Sequence, residues 1–102
     1  MRVCVIDRGS KFPVSPEQMP AMMDQFADWR ERWRPKMESF DWFVDGGGCG
    51  VVNVDDEAEL HQMMLEYPFA FVDDVEMKPV VDGDRALAQA REAMRALAGQ
   101  TA

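Results

Sequence analysis

Basic residues are scarce in this chain of 102 residues: eleven lysines and arginines stand against nineteen aspartates and glutamates, a formal net charge of −8. That shortage removes the basic footprint a nucleic acid requires, so no nucleic-acid partner is expected. A small anionic ligand, which responds to local charge only, is not excluded. Histidine occurs once and cysteine twice, with no CxxC pair. These counts leave no structural zinc site, and no metal or other cofactor is expected. Cys4 and Cys49 read as small buried strand residues at opposite ends of neighbouring strands, too far apart to bridge. No apolar run approaches the ~20 residues that span a bilayer, and the opening MRVCVIDRGSK lacks the apolar core of a signal peptide. A cytoplasmic protein without a membrane partner is the expectation.

What is present suits one globular domain. Hydrophobic residues make up 47% and charged residues 29% of the chain. A compact monomer of this mass has a folded surface of roughly 5,800 Å² against about 16,800 Å² unfolded. The charge is unevenly spread: residues 1–51 hold seven basic against eight acidic side chains, and residues 52–102 four against eleven.

Arg2 to Arg8 reads as a central strand, with Val3 and Val5 on one face and Cys4 and Ile6 on the other. Ser15, Pro16 and Gln18 mark a helix start, delayed by Pro20. From Met19 to about Lys36 an apolar stripe (Met19, Met22, Met23, Phe26, Trp29 and Trp33) has helical spacing. Two strands follow, about Ser39 to Val44 and Cys49 to Val54, joined by a hairpin turn at Asp45-Gly46-Gly47-Gly48. A phosphate-cradling loop would need a Lys-Ser/Thr ending and a following helix, and both are missing. Asp55 or Asp56 caps a helix over Glu57 to Glu66, which Pro68 ends. Phe69 to Val81 reads as the last strand, and Arg85 to Ala98 as an alanine-rich helix with the stripe Leu87, Ala90, Met94 and Leu97.

The order β-α-β-β-α-β with an added C-terminal helix is the ferredoxin-like arrangement, an antiparallel sheet with both connecting helices on one face. Residues 1–81 form that unit, and residues 82–102 add a helix packed on its own or a partner subunit. Two helices cannot cover both faces of a sheet that is apolar on both sides, so a homodimer is expected.

Arg30 stands in the middle of the apolar face of the first helix. A guanidinium there snorkels, pairs with Asp7 on the first strand, or clamps a carboxylate or phenolate in a pocket. His61 flanks the Leu60/Met64 stripe, where either a pocket-wall base or a surface histidine sits. Asn53 and Tyr67 are either hydrogen-bonded framework or ligand contacts, and Met23, Phe26 and Met64 either fill the core or line a pocket. The runs Asp55-Asp56-Glu57 and Asp73-Asp74 read as caps and solvated surface. A residual space below roughly 300 Å³ would argue against ligand binding.

Gly50 to Asp56 (GVVNVDD), then Glu59-Leu60-His61, then Tyr67 to Pro79 (YPFAFVDDVEMKP) resemble the muconolactone isomerase-like branch of the dimeric α+β barrel superfamily. The match covers about a third of the chain, and His61 falls on the family's helical Leu-His position. A tryptophan- and arginine-rich second strand is replaced here by Phe40-Asp41-Trp42-Phe43-Val44. The resemblance implies a dimer of ferredoxin-like subunits, a pocket between sheet and helices, and cofactor-free proton transfer on a small lactone. Residues and resemblance together give a metal-free isomerase- or cyclase-type enzyme acting on a small anionic aromatic or lactone-like metabolite. Arg30 would hold the anion, His61 or Asp7 would move the proton, and Tyr67 or Asn53 would hydrogen-bond an oxygen. A cofactor-independent monooxygenase of phenols, using Asn53 with Trp29, Trp33 or Trp42, is one alternative. A non-catalytic dimer that binds a small molecule or another protein is the other.

Overall fold

The computed structural model describes residues 1–10 and 12–101. Four strands, β1 (Arg2–Ser10), β2 (Asp41–Trp42), β3 (Gly48–Asn53) and β4 (Asp73–Val80), form one antiparallel sheet in the order β2-β3-β1-β4. Helices α1 (Met19–Trp33) and α2 (Glu57–Glu66) connect them, and α3 (Gly83–Thr101) follows.

The central strand sets the layout. Val3 pairs with Val52 and with Pro79, and Asp7 lies opposite Gly48 and Val75. Strand alternation therefore puts Val3, Val5 and Asp7 on the helix-covered side, where Val3 is fully buried with Val52 and Val54. Trp29 of α1 donates from Nε1 to the Met63 carbonyl of α2 at 2.9 Å, which ties the two helices over the sheet. Met63, Met64, Tyr67 and Phe69 complete the buried cluster.

Helix ends follow the sequence signals in part. Asp56 caps α2 by accepting from the Glu59 amide at 2.9 Å, as an aspartate at that place should. Ser15 instead closes a turn, its hydroxyl accepting from the Gln18 amide, and α1 begins only at Met19. A 3-10 turn at Arg34–Lys36 ends it, with Pro35 inside.

Three strand expectations change. β2 shrinks to two residues because the Ser39 hydroxyl, not a backbone carbonyl, accepts from the Val51 amide. The expected strand start at Phe69 is a run of turns in which Ala70 and Val72 amides donate to Tyr67 and Phe69 carbonyls; β4 begins at Asp73. Those turns carry Phe69 into the core and leave Phe71 74% exposed. Cys4 and Cys49 do not sit at opposite ends. Cys4 pairs with Val51 and Cys49 with Ile6, so the thiols are diagonal neighbours on the uncovered face, both free. A diagonal spacing of about 7–8 Å still exceeds the usual reach of a disulfide.

α3 projects from this body. The described residues span 67 × 26 × 22 Å, with a radius of gyration of 18.2 Å where about 13 Å is usual for this length. The accessible surface, 7220 Å², likewise exceeds the compact value of roughly 5,800 Å². Asp82 caps the helix by accepting from the Arg85 amide, and Leu87 and Met94 lie exposed along it. The uncovered sheet face carries Cys4, Ile6, Val51 and Val80, half-buried, beside an Arg8–Glu76 ion pair.

Candidate active site

Asp7 is the buried acidic group of the helix-covered face, 8% exposed. Its position depends on the chain just after it. Gly9 takes a φ of 97°, the register with β4 shifts between Asp7 and Ser10, and the Gly9 amide donates to Asp7 Oδ1 at 2.9 Å. Such a left-handed glycine in a bulge turns the strand without steric penalty. The other carboxylate oxygen, Oδ2, accepts from the Tyr67 hydroxyl at 2.5 Å. Tyr67 is the residue at which α2 ends in extended backbone before Pro68, and that geometry aims the ring back over the sheet.

A second carboxylate completes the group. Asp73 opens β4 opposite Ser10, and its Oδ1 is buried with no partner. Burial, a hydrogen bond to Asp7 and the charge of Asp7 raise the Asp73 carboxyl to about 7, with the Ser10 hydroxyl opposing. Burial first, then Asp7, also pushes the Tyr67 phenol well above its ordinary value, so its hydroxyl remains a donor.

These side chains face a cavity of about 480 Å³ between sheet and helices. That is a ligand-sized volume, well above the 300 Å³ at which a binding role would weaken. One wall is aromatic: Phe26 lies 5.7–5.9 Å from the rings of Trp29, Phe40, Trp42, Tyr67 and Phe69. Met23 and Met64 add soft apolar surface, and Asp45 stands at the exposed rim. The glycine run forms the side nearest Asp7. A Cβ on Gly47 would lie 2.2 Å from the Asp7 carbonyl oxygen, so its role is close backbone approach.

Five of the residues singled out from sequence thus meet at this cavity: Asp7, Tyr67, Met23, Phe26 and Met64. Three do not. His61 is exposed on α2 and outside the lining. Asn53 is exposed at the far end of β3, where its amide donates to the Glu38 carboxylate at 2.5 Å. Arg30 places Nη1 3.5 Å from Met37 Sδ and its guanidinium 4.9 Å from the Phe40 ring centre, behind the lining rather than in it. The Arg30–Asp7 pairing considered above gives way to Tyr67–Asp7. Sequence reasoning missed Asp73, although strand alternation places it on the side of Val75, opposite Asp7. It also missed Phe40 as a cavity wall, whereas Trp42, named for the monooxygenase alternative, does line the cavity.

No protein-family model matches the chain, and no curated protein matches it in sequence. Among solved structures it is similar to the 5-chloro-2-hydroxyhydroquinone dehydrochlorinase of Burkholderia phenoliruptrix AC1100 in complex with 2,5-dihydroxybenzoquinone. The TM-score is 0.62 at 13% identity, over 83% of this chain and 98% of that one. The fold is ferredoxin-like α+β. A structure described as an antibiotic biosynthesis monooxygenase aligns with a TM-score of 0.43 and 19% identity, over 79% of this chain and 98% of that one. At these identities the likeness concerns the fold, and the site must be argued from its own residues. Among the described residues, no helix is long and apolar enough to cross a membrane.

Proposed function

We propose that the chain is an enzyme that moves protons on a small aromatic or lactone-like metabolite, in the manner of an isomerase or cyclase. The carrying observation is Asp73: a carboxyl raised to about 7, with a buried and unpartnered Oδ1, on the wall of an aromatic cavity. A group titrating near neutrality serves equally well as proton acceptor and donor, and such groups contribute about 10²–10⁴-fold to rate. Asp73 exchanges the proton with substrate. Asp7 tunes it through its neighbouring carboxylate, and Tyr67 with the Gly9 amide fixes Asp7. Cavity position supports this assignment of proton transfer over His61.

The functional unit we propose is a homodimer. The sheet face opposite the helices and the exposed Leu87 and Met94 of α3 offer apolar surface for a second copy. Light scattering should give about twice the chain mass of 11.6 kDa; a mass near 11.6 kDa refutes it.

Hydrogen exchange into an activated ring tests the chemistry without knowing the natural substrate. Resorcinol in D₂O loses its ring C–H signals as the ring carbon is protonated and deprotonated. The full chain should accelerate that loss over a protein-free control, and Asp73→Asn should abolish most of the acceleration. An equal rate with and without protein sinks the proposal. Oxygen uptake during the same incubation would point to monooxygenation instead.

A further inference from the structure

The cavity's charge and its hydrogen-bonding atoms specify more than an aromatic ligand. Three aspartates direct charge to it, Asp7 and Asp73 inside and Asp45 at the rim, while Asp41, paired with Cys49, turns to the opposite sheet face. Arg8 is the one cation among the described lining residues, and its guanidinium is spent on Glu76 at 2.7 Å. Arg30 stacks behind Phe40, directed to the Met37 sulfur. A carboxylate entering here would meet like charges and, among the described residues, no free cation, a juxtaposition that disfavours binding more strongly as water is displaced.

Among the described lining residues, the buried side-chain polar atom left without a partner is an acceptor. Asp73 Oδ1 is buried without a donor. Asp7 already accepts from Tyr67 and from the Gly9 amide. A buried acceptor left unpaired is unfavourable, and a ligand O–H is the group that relieves it. The aromatic wall of Phe26, Phe40 and Trp42 then takes the ring.

We propose that this site, read as the proton-transfer site above, selects uncharged aromatic substrates that carry a free hydroxyl and rejects those bearing a carboxylate. The hydroxyl donates to Asp73 Oδ1, and Asp45 supplies the discrimination against anions at the rim. This departs from the anionic acid that Arg30 suggested in sequence.

Three probes of similar size separate the elements of this proposal: resorcinol, 1,3-dimethoxybenzene, which lacks the donor, and 3,5-dihydroxybenzoate, which adds the charge. Affinities for the full-length chain come from NMR titration at pH 7.5. Resorcinol should bind at least about tenfold more tightly than either of the others, a difference of about 1.4 kcal/mol. In Asp45→Asn the dihydroxybenzoate should tighten several-fold, with resorcinol unchanged. Dihydroxybenzoate binding as tightly as resorcinol overturns the charge selection. Dimethoxybenzene binding as tightly overturns the hydroxyl contact. Anion discrimination unchanged in Asp45→Asn overturns the role of the rim. If none of the three binds and no ring exchange occurs, this inference and the proposed function both fail; any selective result leaves the function standing or falling on the exchange assay alone.

Discussion

The Tyr67 hydroxyl donates to Asp7 Oδ2 at 2.5 Å, joining the end of α2 to the central strand across sixty residues of sequence. Both residues are buried, and the bond crosses the floor of the cavity. It holds the Asp7 carboxylate in one orientation, with Asp73 against it. The chemistry of the site depends on that orientation more than on any single side chain.

Tyr67→Phe removes the donor and leaves an oxygen of a buried carboxylate unpaired. The loss should be about 1–3 kcal/mol of unfolding free energy in a urea titration, with the ring packing against Trp29 kept. The ring-exchange rate should fall as well, because Asp7 is free to turn from Asp73. An unchanged urea midpoint and an unchanged rate would show that the bond fixes nothing.

Asp73 makes stability fall with rising pH. Its ordinary value is 3.8 and its folded value about 7, so between these limits the folded chain holds a proton that the unfolded chain has released. Folding is therefore favoured most at low pH by this group, and its contribution declines as pH rises from about 4 to about 7. Solvent screening of a half-buried side chain reduces the effect to about 1 kcal/mol. Asp73→Asn should flatten this part of the curve measured by chemical denaturation at several pH values. A wild-type curve that rises over the same interval would contradict the assignment.

How much of this was legible in the sequence depended on whether the controlling interaction was local. The α2 boundaries follow from Asp56 and Pro68, both within a few residues of the ends they set. The inward face of Asp7 follows from alternation, and the strand order from the β-α-β-β-α-β succession of elements. The Tyr67–Asp7 bond was not legible, since a tyrosine before a proline packs as easily as it donates, and the bulge at Gly9 that orients Asp7 has no apolar pattern. Asp73 was hidden by its neighbour: Asp73-Asp74 looks like solvated surface until the turns after Pro68 place β4's first residue beside Ser10. Arg30 misled for a physical reason. Its place on the apolar face is real, but the face holds an aromatic ring and a thioether that take the guanidinium.

Arg30→Met should accordingly leave ligand affinity within about twofold and lower stability by only about 0.5–1 kcal/mol, the usual worth of a cation over a ring. His61→Ala, at an exposed position, should leave the exchange rate unchanged. Calorimetric or NMR affinities and the exchange assay check both. A tenfold loss of binding in Arg30→Met would return the arginine to the site.

Gly47 and Gly46 offer a paired comparison in one turn. Both have positive φ, 80° and 105°, so alanine is strained at each, by about 1–3 kcal/mol. Only Gly47 abuts the central strand: its added Cβ would meet the Asp7 carbonyl oxygen at 2.2 Å, whereas at Gly46 nothing lies within 4 Å. Backbone cannot swing aside as a side chain does, so β1 or the hairpin must move in Gly47→Ala. Gly46→Ala should therefore lose stability and keep the ring-exchange rate. Gly47→Ala should lose more stability and, when assayed well below its melting temperature, exchange at least tenfold more slowly, because the displaced segment carries Asp7. Equal rates in the two variants would show that the hairpin's approach to β1 does not govern the site.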